Sequence, residues 1–282
     1  MNLYRGMDRP ALDAAYNNSA AVADSPALLA DFQARSDRMR ADRGRTLDLR
    51  YGPAERNRID YFAADTRGPV LMFIHGGYWQ MRAKENFSFL ARGPLAHGIH
   101  VAFPGYTLAP GISLRGIVDE IRAAIAWLAS HAEDHGGDAQ RIFVAGWSAG
   151  GHLTAMALDQ PAVQGGLAIS GIFDLEPIRL SYLNEKLHLD EVEARRLSPL
   201  HHLTSPLSRS RPAPLMLACG GAELPELQRQ SAVYAQARQD AGLPGRLTTL
   251  GGHNHFTILE ELASPDGALT NLLRELMTQT LK

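Results

Sequence analysis

The chain has 282 residues, 28 Lys plus Arg against 30 Asp plus Glu, and one cysteine. Hydrophobic residues make up 45% and charged residues 21%, ordinary values for a globular protein able to bury a large core. A formal net charge of -2 argues against a nucleic-acid or polybasic membrane binder. The longest apolar runs, such as Val70 to Ile74 and Ala123 to Ala129, fall short of the roughly 18 residues a bilayer span needs. The opening Met1 to Pro10 is polar, with Arg5, Asp8 and Arg9, so no secretory leader is expected. Cys219 alone can close no intramolecular disulfide, which fits a reducing cytoplasm. Secreted scaffolds, fibres and membrane proteins are thereby excluded, and a cytoplasmic enzyme is the expectation.

In chain order, the first 42 residues read as a helical extension. Ser25 is a candidate cap for a helix whose Leu28, Leu29 and Phe32 share one face. Two alternating stretches follow, Leu47 to Tyr51 and Ile59 to Phe62, with Gly52-Pro53 between them, and they read as an antiparallel pair. Short apolar runs then recur at Val70–Ile74, Ile99–Phe103, Ile142–Ala145, Leu167–Ile169, Leu215–Ala218 and Leu247–Leu250. Runs buried on both faces lose their alternation, as strands of a helix-covered parallel sheet do. Between them lie helical patterns, clearest where Ile117, Ile121, Ile125 and Leu128 fall on one face. Eight strands with intervening helices imply right-handed βαβ units in a mostly parallel sheet. Residues 171–210, holding Pro177, Pro199 and Pro206, form a long connection between strands six and seven that reads as a cap. The whole chain, 1–282, reads as a single domain.

In such a sheet, ligands bind beyond the carboxyl ends of the strands. Directly after the run Ile142–Ala145 stands Gly146-Trp147-Ser148-Ala149-Gly150-Gly151, a G-x-S-x-G between a strand and a helical stretch from His152 to Leu158. That context places a serine on a tight turn with its hydroxyl exposed. A serine hydroxyl is a weak nucleophile and needs a base, which needs an orienting acid, in the chain order Ser, Asp or Glu, His. The last strand leads into Gly251-Gly252-His253-Asn254-His255-Phe256, with two candidate histidines. The preceding strand leads into Gly220-Gly221-Ala222-Glu223-Leu224-Pro225-Glu226, and no Asp occurs between Asp190 and Asp240. The acid is therefore Glu223 or Glu226, with Glu223 closer to the strand end. After the third strand, His75-Gly76-Gly77-Tyr78-Trp79 offers backbone N–H groups for an oxyanion, from Gly76 and Gly77, joined by that of Ala149. His75 is expected to hold this loop by hydrogen bonds. Tyr78 and Trp79, with Trp147 beside the serine, are the expected walls of a substrate pocket.

These motifs resemble those of α/β-hydrolases of the kynurenine formamidase (arylformamidase) type. HGGYW at 75–79, GWSAGGHL at 146–153, SGIFDL at 170–175, GGAE at 220–223 and NHF at 254–256 all match that pattern. Tyr16-Asn17-Asn18 and Ser181-Tyr182-Leu183-Asn184 match it too, so the resemblance spans nearly the whole chain. Trp147 departs from it, since relatives commonly carry His, Asp or Glu before the serine, and the acid is Glu where many hydrolases use Asp. The resemblance favours His255 over His253. It implies the α/β-hydrolase fold and hydrolysis of an aryl formamide, or of small aryl and short-acyl esters, without a cofactor. The partner it implies is a small-molecule ester or formamide, with a homodimer left open.

Other signals in the chain are weaker. His131 and His135 are four apart as in metal sites but lack the H-E-x-x-H pattern, and the expectation is no metal. His201-His202 has no carboxylate cluster beside it in sequence, and Cys219 reads as an inert core residue. The rivals are a general carboxylesterase and, from another class, a non-catalytic ligand-binding protein on the same fold.

Overall fold

The computed structural model describes residues 3–44, 46–203 and 212–280. Its eight strands are β1 (Thr46–Arg50), β2 (Arg58–Phe62), β3 (Gly68–Ile74), β4 (His100–Pro104), β5 (Gly137–Trp147), β6 (Val163–Ile169), β7 (Leu215–Gly220) and β8 (Gly245–Leu250). They form one sheet in the order β1-β2-β4-β3-β5-β6-β7-β8. β2 pairs antiparallel with β1 and with β4, and every pairing from β4 through β8 is parallel. The two alternating stretches and all six apolar runs are strands, though β5 begins five residues earlier than its apolar run and β8, at the sheet edge, is exposed or half-buried rather than covered on both faces.

The α-helices are α1 (Arg9–Ala15), α2 (Asn18–Ala21), α3 (Ser25–Arg43), α4 (Arg92–Leu95), α5 (Leu114–His131), α6 (Ala149–Met156), α7 (Glu176–Arg179), α8 (Asn184–Leu187), α9 (Glu191–Arg196), α10 (Pro225–Asp240), α11 (Glu260–Ala263) and α12 (Ala268–Gln279). Successive side chains of β3 enter two cores. Val70, Met72 and Ile74 join residues of α5, α6 and α10, while Leu71 and Phe73 join Phe32 of α3 and Leu269, Leu273 and Leu276 of α12. A strand with helices on both faces has no polar side, which is why the alternation vanished from the sequence. In α5, Ile117, Ile121, Ile125 and Leu128 are all buried, and the Ser113 hydroxyl caps the helix by accepting from Gly116 N at 3.2 Å. Ser25 does not cap α3. It is the first helical residue, following Asp24, and its hydroxyl donates to the Ser19 carbonyl. Pro26 at the next position explains this start, because proline's fixed φ suits the first turn.

Between β6 and β7 the described part of the long connection, up to residue 203, carries α7, α8 and α9; residues 204–210, with Pro206, lie outside the described residues. A buried ion cluster joins the N-terminal helices to the sheet. Lys84 is 4% exposed and donates at 2.7 Å to Asp60 of β2 and to Asp48 of β1. Asp60, fully buried, also accepts from Arg40 of α3 and from the Asp48 backbone. Removing one partner of such a cluster leaves buried charges uncompensated. Asp60→Ala should therefore cost about 3–5 kcal/mol in urea unfolding. Arg67→Ala, which breaks an exposed pair with Glu133, should cost under about 1 kcal/mol.

Candidate active site

The carboxyl edge of the sheet gathers the residues singled out in the sequence. β5 ends at Trp147, and Ser148 turns the chain into α6 with φ 59° and ψ -119°. A left-handed conformation at a non-glycine residue is costly and persists only where the surroundings over-determine it. Here the Ser148 amide donates to Ile169 O of β6 at 2.8 Å, and the Ser148 carbonyl accepts from Gly151 N and His152 N of α6. The serine, expected from the turn context to expose its hydroxyl, is instead buried at 2% exposure, beneath the loops after β3 and β8 that close on this edge.

Glu223 and His255 come together across 32 residues of sequence. His255 Nδ1 lies 2.8 Å from Glu223 Oε2, with both residues buried. The carboxylate only accepts, so Nδ1 carries the hydrogen and the Nε2 lone pair is left as the basic position of the neutral ring. The other carboxylate oxygen, Oε1, accepts from Ser170 Oγ at 2.6 Å and from Gly220 N at 2.5 Å. Three donors thus fix the carboxylate. Glu226, the alternative acid, is engaged elsewhere: it pairs with Arg229 at 2.8 Å and accepts from the Tyr16 hydroxyl at 3.1 Å. His253, the alternative base, contacts Thr257 O and Glu261.

Gly76 lies against the Ser148 turn. A Cβ there would sit 2.7 Å from Trp147 O and 3.0 Å from Ser148 Cβ, too close for any side chain. Gly77 has φ 110°, and Tyr78 and Trp79 follow at 50° and 61°, so three successive residues lie in the left-handed region. His75 anchors the loop from below. Its Nδ1–H donates to Gly76 O at 2.7 Å, and its ring stacks on Tyr106 at 4.3 Å between centroids. Ala149 opens α6, directly after Ser148.

The three aromatic residues expected at a pocket wall are all buried, each with a partner of its own. Trp147 donates its indole N–H to the His255 carbonyl at 2.8 Å, its ring 4.8 Å from that imidazole. Tyr78 is 8% exposed, donating its hydroxyl to Tyr16 O at 2.6 Å and accepting from Asn18 Nδ2 at 3.0 Å. Burial, with Tyr182, Tyr16 and Glu223 nearby, holds the Tyr78 phenol well above its usual range, so it stays a neutral hydroxyl. Trp79 has no exposed surface and meets the His152 ring edge to face at 5.0 Å, behind the loop surface. Two contributors escaped the sequence reading, Ser170 and His152. Both lie in quoted motifs, yet neither a serine after β6 nor a histidine in a helix announces a partner three dozen or more residues away. His131, weighed earlier as a metal ligand, stacks on Trp127 at 4.5 Å. Cys219 is buried in β7, and burial pushes its thiol upward, away from the reactive thiolate.

A sequence profile described as alpha/beta hydrolase fold matches residues 71–259. This chain belongs to that α/β-hydrolase family. It is similar to the kynurenine formamidase of Danio rerio, 29% identical over 297 aligned positions covering 98% of this chain and 99% of that one. It is also similar to the kynurenine formamidase of Salmo salar, 32% identical over 244 positions covering 82% and 81%. Among solved structures it resembles a provisionally assigned thioesterase from Silicibacter sp. TM1040, with TM-score 0.83, 29% identity, and 93% and 98% coverage. The protein is accordingly a hydrolase of the kynurenine formamidase-like esterase type. Among its described residues, no helix is long and apolar enough to cross a membrane.

Two imidazoles of this hydrolase site give its stability a pH dependence. Burial lowers His75 and His152 to about 4, against an ordinary value of 6.5. Each ring has one N–H given to a carbonyl, Gly76 O or Leu197 O, and its other nitrogen is buried without a partner. The unfolded chain therefore binds more protons than the folded one between pH 6.5 and 4. The stabilisation is complete above 6.5 and is lost as pH falls through that window. The urea midpoint of the wild type should drop steadily from pH 7 to 4.5, and His152→Gln should flatten that slope by up to one proton. An unchanged slope would contradict the buried neutral ring.

Proposed function

We propose that Ser148, His255 and Glu223 form the catalytic triad of a formamide and ester hydrolase. The observation that carries this reading is the His255–Glu223 hydrogen bond of 2.8 Å, formed at the same sheet edge as the strained Ser148 turn. Ser148 Oγ attacks the substrate carbonyl carbon and passes its proton to His255 Nε2, while Glu223 supports the imidazolium that forms. The N–H groups of Gly76, Gly77 and Ala149 hold the oxyanion. The tetrahedral intermediate collapses, and His255 returns the proton to the departing amine or alcohol. Water then attacks the formyl- or acyl-serine, again through His255, and releases formate or a carboxylic acid. No step calls for a metal or a cofactor.

The substrate class is an N-formyl aryl amine such as N-formylkynurenine, together with short-acyl aryl esters. The names of the fish relatives and their near-complete coverage of this chain support the formamide side. In this reading residues 1–282 act as one hydrolase domain, with 1–42 a helical extension and 171–210 a cap. Trp147 tethers the base loop, and Tyr78 and Trp79 shape the floor of the pocket from behind its surface.

Ser148→Ala should remove at least about 10⁴-fold of turnover with the fold intact. Glu223→Gln should cost about 10³- to 10⁴-fold, because the wrong imidazole tautomer is then favoured. Glu226→Gln should cost far less, since an amide oxygen still accepts from Tyr16. Equal mild losses in both Glu variants would remove Glu223 from the triad. Across a series on one aryl leaving group, kcat/KM should fall from formyl or acetyl to octanoyl, with formanilides cleaved measurably. Preference for octanoyl esters with no formanilide cleavage would leave a general carboxylesterase.

A further inference from the structure

The Tyr16-Asn17-Asn18 stretch matched a family pattern without receiving a role, and the loop after β3 holds more strain than its glycines explain. Gly77, Tyr78 and Trp79 all have positive φ, and two of the three are bulky residues for which that region is costly. Such a run persists only when its neighbours hold it. Trp79 is held by burial against His152, and its carbonyl accepts from Ala109 N at 2.9 Å. Gln80, next along, donates to Leu183 O in the long connection at 2.7 Å. The turn is closed locally by Gln80 N and Met81 N, which donate to Gly77 O at 3.0 and 3.1 Å, and the polar end of Tyr78 is tied to the N-terminal segment through its hydroxyl.

That hydroxyl is clamped on both sides. Tyr16 O can only accept, so the Tyr78 O–H points to it at 2.6 Å, and the second partner must be a donor, Asn18 Nδ2 at 3.0 Å. Turning Nδ2 to Tyr78 leaves the buried Asn18 Oδ1 without a partner, a cost the local fold accepts to keep the clamp. Tyr16 is itself fixed at its far end. Its hydroxyl donates to Glu226 and accepts from Gln230 at 3.1 Å, both on α10, which begins two residues after Glu223. One buried residue, by its backbone carbonyl at one end and its hydroxyl at the other, therefore links the loop carrying Gly76 and Gly77 to the helix following Glu223.

From this geometry we infer that Tyr16 and Asn18 are positioning residues, which hold Tyr78 in its left-handed conformation and thereby aim the Gly76 and Gly77 N–H groups at the oxyanion. The inference rests on the oxyanion assignment made under the proposed function. It adds a distinct claim: the N-terminal segment sets transition-state stabilisation rather than substrate binding. A donor displaced by a fraction of an ångström loses most of its worth where charge develops and little where the ground-state carbonyl binds.

The test compares Tyr78→Phe and Asn18→Leu with wild type by steady-state kinetics on an aryl acetate and by inhibition with an aryl trifluoromethyl ketone, which forms a tetrahedral serine adduct. Both variants should lose about 10- to 100-fold in kcat with KM within about twofold, and inhibitor affinity should fall in parallel with kcat/KM. The double variant should be little worse than the worse single one, because both remove the same clamp. Thermal melts of each variant identify plain destabilisation. A lowered melting temperature with kcat and inhibitor affinity unchanged would overturn the inference, as would a loss confined to KM. A crystal structure of the wild-type inhibitor adduct separates the two layers. If its oxygen lies on the Gly76 and Gly77 N–H groups, a negative result with the variants removes the N-terminal clamp alone. If its oxygen lies elsewhere, the oxyanion assignment falls and the inference with it.

Discussion

The chain leaves β5 and enters α6 through a single residue, Ser148, at φ 59°, and almost everything at the carboxyl edge is arranged around that turn. The turn is held because β5 lies between β3 and β6. The β6 carbonyl of Ile169 takes the Ser148 amide, and the glycine after β3 comes so close that no Cβ would fit. Neighbouring strands repeat the device: Ser170, at the end of β6, also has positive φ, and from there it reaches the Glu223 carboxylate. Strain stored at adjacent strand ends is thus offset by hydrogen bonds between those same ends. The parallel sheet then delivers the loops after β7 and β8, with Glu223 and His255, to the same edge.

Three buried histidines near this edge differ in what accepts their N–H. His75 and His152 each give their one N–H to a backbone carbonyl, and burial keeps both neutral. His255 gives its N–H to a carboxylate instead. A carbonyl dipole offers little to an imidazolium, whereas a carboxylate can support one when a proton arrives at Nε2, and two further donors, Ser170 Oγ and Gly220 N, hold this one in place. The same ring therefore binds a backbone carbonyl in two places and a carboxylate in the third. Trp147 belongs to this arrangement, since its indole N–H holds the carbonyl of His255 itself.

Much of this was legible from residue order. Six apolar runs and two alternating stretches marked the strands, and in the central ones, β3 to β7, burial on both faces leaves a pattern that local chemistry cannot disguise. Ser148, Glu223 and His255 could be proposed because each stands just past a run, where a parallel sheet presents its loops. What escaped was pairing through space. Whether Tyr78, Trp79 and Trp147 face a pocket or the interior depends on the left-handed run after Gly77 and on partners as distant as Tyr16 and His255. Ser25 misled for a local reason, since Asp24 and Pro26 moved the helix start by one residue. The ion cluster of Lys84, Asp60 and Arg40 left no periodic trace, because it joins three elements through single residues.

The account stands or falls on a covalent intermediate at one atom. The direct measurement is mass spectrometry of the protein quenched in acid during turnover of an aryl formate or a formanilide, followed by peptide mapping. The account predicts a peptide containing Ser148 that is heavier by one formyl group, present during turnover and gone once substrate is exhausted. A formyl adduct on another residue, or full turnover by a Ser148→Ala protein with no adduct in either form, would contradict it.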